Sequence, residues 1–141
     1  MYLLDTNVIS ELRKASAGKA NSNLLAWANT INADELYISV ITLMELEIGI
    51  KSLERKDTHQ GLLLRSWLEQ QVMPEFSART LVIDAAVALR CARLHVPNKR
   101  SERDAFIAAI ALTHAMPVVT RNTKDFQHTG VQLINPWEFK N

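Results

Sequence analysis

The sequence predicts an α/β fold, with a central and mainly parallel sheet covered by helices on both faces. Two observations predict it. Short apolar runs alternate with longer segments of helical period along all 141 residues. Those runs are also short and continuously apolar, which suits strands buried on both sides. Parallel strands need crossovers, and the helical segments lie where crossovers belong.

Tyr2–Leu4 reads as a short buried strand, and Thr6–Lys14 as a helix ending at the breakers around Gly18. Asp5 sits at their junction. A helix over Asn23–Ile31, a strand over Leu36–Ser39 and a long helix from about Ile41 to Arg55 follow. His59–Val72 carries Leu62, Leu63, Trp67 and Leu68 at helical spacing, predicting an amphipathic helix that stops before Pro74, with Trp67 in the core. A third strand is expected at Thr80–Ile83. Asp84 then N-caps an Ala-rich helix to about His95, with Cys91 as a small core residue. After the basic loop Pro97–Arg100 come a small-residue helix over Ser101–Ala115 and strands at Pro117–Thr120 and Val131–Ile134. Asn135-Pro136-Trp137 closes the last strand.

A composition of 48% hydrophobic and 22% charged residues, with four Gly and four Pro, is that of a globular chain. It is expected to form a single domain over 1–141, without linker or repeat. The lone Cys91 excludes intrachain disulfides and thiolate-rich metal sites. No apolar run approaches the ~18 residues of a membrane span, and the N-terminus lacks the pattern of a secretory leader, so a cytoplasmic protein is expected. Net charge is only +1, so affinity for a polyanion must come from local patches.

Chemistry enters with the acids. Asp5 follows the first strand directly, Glu45 lies in the first turns after the second, Asp104 opens the helix feeding the strand at Pro117–Thr120, and Asp125 lies just beyond that strand. Ligands of parallel α/β folds bind at the carboxyl ends of strands. Singly, each acid has a local use: Asp5 as a helix cap, Thr42–Glu45 and Ser101–Asp104 as capping boxes, Asp125 as a turn residue. As a set near one sheet edge they would repel one another unless a cation sat among them. Oxygen-only ligation points to Mg²⁺ or Mn²⁺.

His59, His95, His114 and His128 show no metal-ligand spacing and read as surface or cap residues. Residues two apart on a helix point about 200° from each other, so Glu45 and Glu47 cannot share a site. Glu47 has Lys51 four positions on as an ion-pair partner, whereas Glu45 has Gly49 there and room beside its carboxylate. The same reasoning favours Asp104 over Glu102. Lys99, Arg100, Arg103, Arg121 and Lys124 cluster in sequence around Asp104 and Asp125, as phosphate contacts or as solvated surface.

Leu4-Asp5-Thr6-Asn7-Val8-Ile9-Ser10, Ser39-Val-Ile-Thr42-Leu-Met-Glu45-Leu, Asp104-Ala-Phe-Ile-Ala-Ala and Thr120-Arg-Asn-Thr-Lys-Asp125-Phe together resemble the PIN-domain ribonucleases. The likeness spans nearly the whole chain. It extends to VapC toxins of bacterial toxin–antitoxin pairs, especially the FitB-like group, which shares the terminal Asn-Pro-Trp. It implies a three-layer α/β/α sandwich in which Asp5, Glu45, Asp104 and Asp125 hold Mg²⁺ or Mn²⁺. Thr6, Thr120 and Asn122 would support or line the pocket. It further implies cleavage of RNA, tRNA or another structured species, together with a homodimer and a cognate VapB-like antitoxin. The loop Pro97–Arg103 departs from the group, which tends to carry a Gly there. Two rivals remain in sequence terms: a receiver-like phosphoacceptor, disfavoured because Asp5 is followed by Thr6 and Asn7, and a catalytically inactive PIN-like binding module.

Overall fold

The computed structural model describes residues 1–141. Five strands, β1 (Tyr2–Leu4), β2 (Leu36–Ser39), β3 (Thr80–Leu81), β4 (Val118–Val119) and β5 (Leu133–Ile134), form one sheet in the order β3-β2-β1-β4-β5. Every pairing is parallel. The helices are α1 (Thr6–Leu12), α2 (Ser22–Ala28), α3 (Val40–Lys56), α4 (Thr58–Trp67), the single turn α5 (Met73–Glu75), α6 (Ala85–Leu94) and α7 (Glu102–Thr113). None is long and apolar enough to cross a membrane.

The chain steps outward from β1 to β2 to β3, then returns through α6 and α7 to place β4 on the other side of β1. The β1/β4 pair is therefore where the winding reverses, and a crevice opens at the carboxyl ends of such a pair. Residues flanking the ends of β1 and β4 are set to meet there.

Alternation along the strands divides the core into two layers. Leu3 and Val118 face Ile107, Ile110, Val87 and Cys91 beneath α6 and α7. Leu4, Val119 and Ile38 face Val8, Leu24, Trp27, Leu46 and Leu68 on the opposite side. Each fully buried Leu or Ile contributes about 1.5–3 kcal/mol of transfer free energy. Helix α7 buries Ala105, Ala108, Ala109 and Ala111 completely, and these small side chains let it lie close on the sheet while holding Asp104 at its open end.

Several boundaries differ from expectation. Helix α1 ends at Leu12 and tightens into a 3₁₀ segment over Arg13–Ala17, which stops at Gly18 in the left-handed region (φ 69°). The strands at Thr80–Ile83, Pro117–Thr120 and Val131–Ile134 pair over only two residues each. Pro74 does not stop the helix before it. The chain passes through a π-turn at Leu68–Val72 into α5, where Pro74 occupies the first turn and its missing N–H is not needed.

Leu62 and Leu63, expected on a buried face, are 64% and 52% exposed. Trp67 is only half-buried, against the α4 side of the core. Glu47 pairs with Arg65 of α4 at 2.8 Å rather than with Lys51, and the same guanidinium reaches Glu54 Oε1 at 3.1 Å, cross-linking α3 and α4. The cap of α3 is Ser39, whose hydroxyl accepts from Thr42 N at 3.2 Å, so no capping box forms at Thr42–Glu45. Ser101 holds the N-cap position of α7 without a capping side-chain bond.

Candidate active site

Asp5 leaves β1 in extended conformation, and its Oδ1 accepts the amide of Thr6 at 2.8 Å, which caps α1. That bond turns the second oxygen, Oδ2, toward the end of β4. There the Thr120 hydroxyl donates to it at 2.7 Å and Asn7 Nδ2 at 3.3 Å. Asn7 Nδ2 also reaches Thr120 Oγ1 at 3.2 Å, while its Oδ1 accepts the amide of Arg121 at 3.2 Å. Asn122 N closes the turn on Thr120 Oγ1 at 3.0 Å. Two loops far apart in sequence are thus locked together around one carboxylate that is 7% exposed.

Glu45 arrives from the second turn of α3. Thr6 Oγ1 donates to its Oε1 at 2.6 Å and stands 3.1 Å from the buried Thr42 hydroxyl, so α1 fixes the rotamer of a carboxylate on α3. The other oxygen, Oε2, lies 3.6 Å from the Arg103 guanidinium, whose residue stands beside Asp104 at the start of α7. Asp125 is carried by the 3₁₀ turn Thr123–Phe126, anchored below by fully buried Phe126.

These groups line one open cleft of about 590 Å³, which includes Asp5, Thr6, Glu45, Asp104, Asn122 and Asp125. Thr120 lies buried behind Asp5. Burial raises the Asp5 carboxyl, opposed by the bonds from Thr120 and Thr6, with repulsion from Glu45 and Asp125 added. Asp104 is pushed up to about 6, by burial first and then by the charges of Asp125, Asp5 and Glu45. Burial is the larger cause for both Asp5 and Asp104, and the charges of the neighbouring acids add to it.

No three acidic, His or Cys side chains close into a preformed metal cage. The donors are carboxylate oxygens spaced around open volume. That fits a hard cation which keeps much of its water and takes one or two carboxylates plus phosphate oxygens, as Mg²⁺ does, better than zinc or an all-protein calcium cage.

Of the expected phosphate contacts, Arg103 and Arg121 line the cleft. Lys99 and Lys124 are exposed outside its lining. Arg100 is committed to structure, donating to the carbonyls of Leu94 and Gln127 at 3.0 Å each. Sequence reasoning missed Asn7 and Thr42 as site-organising residues, and Trp137 as part of the cleft wall. An amide side chain two positions after Asp5, in the polar stretch Asp5-Thr6-Asn7 that follows the apolar strand, was the available signal for Asn7.

The chain belongs to the PIN domain family, whose profile matches residues 2–132. It is 36% identical over 143 aligned residues to VapC ribonuclease Y4jK of Sinorhizobium fredii, covering 98% of this chain and 99% of that relative. The crystal structure of FitAcB from Neisseria gonorrhoeae matches at TM-score 0.88 and 33% identity, covering 99% of this chain and 100% of that one. A toxin–antitoxin complex from Klebsiella pneumoniae matches at TM-score 0.66 and 27% identity, covering 99% of this chain and 100% of that one.

Proposed function

We propose that the chain is a VapC-like toxin, a divalent-metal-dependent endoribonuclease that hydrolyses phosphodiester bonds in RNA and is neutralised by a VapB-like antitoxin. The observation that carries this is the convergence of four acids from four chain segments on one cleft at the β1/β4 switch point. Family membership and a relative named as a ribonuclease support it. A bound Mg²⁺ or Mn²⁺ would supply polarisation of the phosphate and a water of lowered pKa.

The chain's own residues supply the rest. Asp5 and Asp104 are the principal ligands in this reading. Glu45, aimed by Thr6, completes the ligand set or takes the proton of the attacking water, and Asp125 holds the outer side of the site. Thr120 and Asn7 hold Asp5 in one rotamer, so the ligand is oriented before the cation arrives. Arg103, 3.6 Å from Glu45 Oε2, neutralises part of that carboxylate's charge.

The substrate class that goes with the resemblance is tRNA or another structured RNA, in the cytoplasm. Exposed Leu62, Leu63, Met44 and Ile48 offer apolar area for a homodimer or for the antitoxin. So does the groove between Ile9–Ser16 and Trp67–Phe76. The test is purified protein with total RNA in Mg²⁺, Mn²⁺ or EDTA, beside Asp5→Asn. Cleavage confined to wild type with metal is expected, and cleavage in EDTA or by a folded Asp5→Asn protein contradicts the mechanism.

A further inference from the structure

Three cations line the carboxylate cleft: Lys14, Arg103 and Arg121. Lys14 Nζ stands 3.1 Å from Glu11 Oε1 and Arg103 stands 3.6 Å from Glu45 Oε2, so both charges are matched inside the protein. The guanidinium of Arg121 makes no ion pair and no hydrogen bond. Its carbon instead lies 5.4 Å from the ring centre of Trp137.

That ring packs, half-buried, against the core, and its backbone is anchored. Trp137 N donates to Asn135 Oδ1 at 3.0 Å, and Trp137 O accepts from Asn23 Nδ2 at 2.8 Å, tying the C-terminal turn to α2. At the other end the Arg121 backbone is anchored, because its amide donates to Asn7, which is bonded to Asp5. A guanidinium held over a ring keeps its in-plane N–H donors for another partner, and its planar fork matches a phosphate. Holding it there in advance removes part of the ordering cost of binding.

We infer that Arg121, supported by Trp137, grips an RNA phosphate next to the bond being cut, with Trp137 as its positioning residue. The inference rests on the ribonuclease reading above. A cleft walled by four carboxylates admits a polyanion only where cationic donors are left for it, and Arg121, whose field lowers the Glu11 carboxyl without a direct bond to it, is the lining cation with its donors uncommitted.

The test is fluorescence anisotropy with a short fluorescein-labelled single-stranded RNA of mixed sequence. It is run across a salt series with Ca²⁺ in place of Mg²⁺, and wild-type cleavage in Mg²⁺ is followed in parallel. Arg121→Ala is expected to weaken binding roughly tenfold. It should also reduce the slope of log affinity against log salt by about 0.7, the value of one phosphate on a single strand. Arg121→Lys should keep the slope but bind several-fold more weakly than wild type, having a charge without the fork. Trp137→Phe, a conservative ring, should weaken binding in the wild-type background and have no further effect in the Arg121→Ala background.

An unchanged slope in Arg121→Ala, or equal effects of Trp137→Phe in both backgrounds, overturns the inference while wild type still binds and cleaves. A wild type that neither binds nor cleaves overturns the ribonuclease reading itself, and the role of Arg121 with it.

Discussion

Thr120 donates its hydroxyl to Asp5 Oδ2 at 2.7 Å across 115 positions of sequence, joining the end of β4 to the end of β1. The bond sits in a buried place, where a carboxylate left short of donors is costly. It also opposes the upward push of burial on the Asp5 carboxyl.

Thr120→Val keeps the shape and removes the donor. Urea unfolding should show a loss of about 1–3 kcal/mol. RNA cleavage should fall as well, because Asp5 is then freer to rotate and easier to protonate. Unchanged stability would mean that the hydroxyl is not what holds Asp5.

Thr6 is placed to aim Glu45 through a 2.6 Å bond. Thr6→Val should lower kcat at least tenfold with little change in fold, and Thr6→Ser, which restores the donor, should recover most of it. Equal activity of the Val and Ser variants would remove Thr6 from the mechanism.

The raised carboxyls set a pH dependence in metal-free buffer. Asp104 titrates near 6 in the folded chain against 3.8 for an ordinary Asp, so the folded state holds its proton more tightly. Its contribution to stability is full below pH 3.8 and is lost as pH rises through about 6. The raised Asp5 carboxyl acts in the same direction. Metal-free Asp104→Asn should therefore melt higher than wild type at pH 7.5 and lose that advantage toward pH 4, followed by calorimetry. Saturating Mg²⁺ should narrow the gap, since a cation binding the folded wild type stabilises it by mass action.

Gly61 marks a close approach of α4 to α3, where an added Cβ would meet the backbone of Glu54 at 2.7 Å. Gly61→Ala must push the two helices apart, at a cost of about 1–3 kcal/mol. The change should show in denaturant midpoint, far from the carboxylate cleft.

Much of this architecture was readable because the relevant signals are local. Tyr2-Leu3-Leu4 followed by Asp5 announces a strand, a junction and a cap within five residues, and Asp84 capping α6 is equally local. Helical angle separated Glu45 from Glu47, and Gly49 beside the one and an ion-pair partner for the other chose Glu45, which does line the cleft while Glu47 faces Arg65. What escaped depends on partners distant in sequence. The hydroxyl of Thr42 acquires its neighbour only when α1 and α3 pack, and Arg65 displaces Lys51 only because α4 folds back on α3. Pro74 was misread because a π-turn upstream changes the bonding register before the proline is reached. Leu62 and Leu63 have helical spacing, but that spacing does not say whether the apolar face meets this chain's core or lies open on its surface.

The most direct measurement is cleavage of total RNA by the purified chain, with Asp5→Asn and Glu47→Gln beside it, in Mg²⁺ and in EDTA. Glu47 lies on the far side of α3 against Arg65, so its variant shares the loss of one carboxylate without touching the cleft. Cleavage by wild type and Glu47→Gln in Mg²⁺, absent in EDTA and absent in a folded Asp5→Asn protein, is the predicted result. RNA cut equally well by Asp5→Asn, or cut in EDTA, would contradict a metal-dependent site built on Asp5.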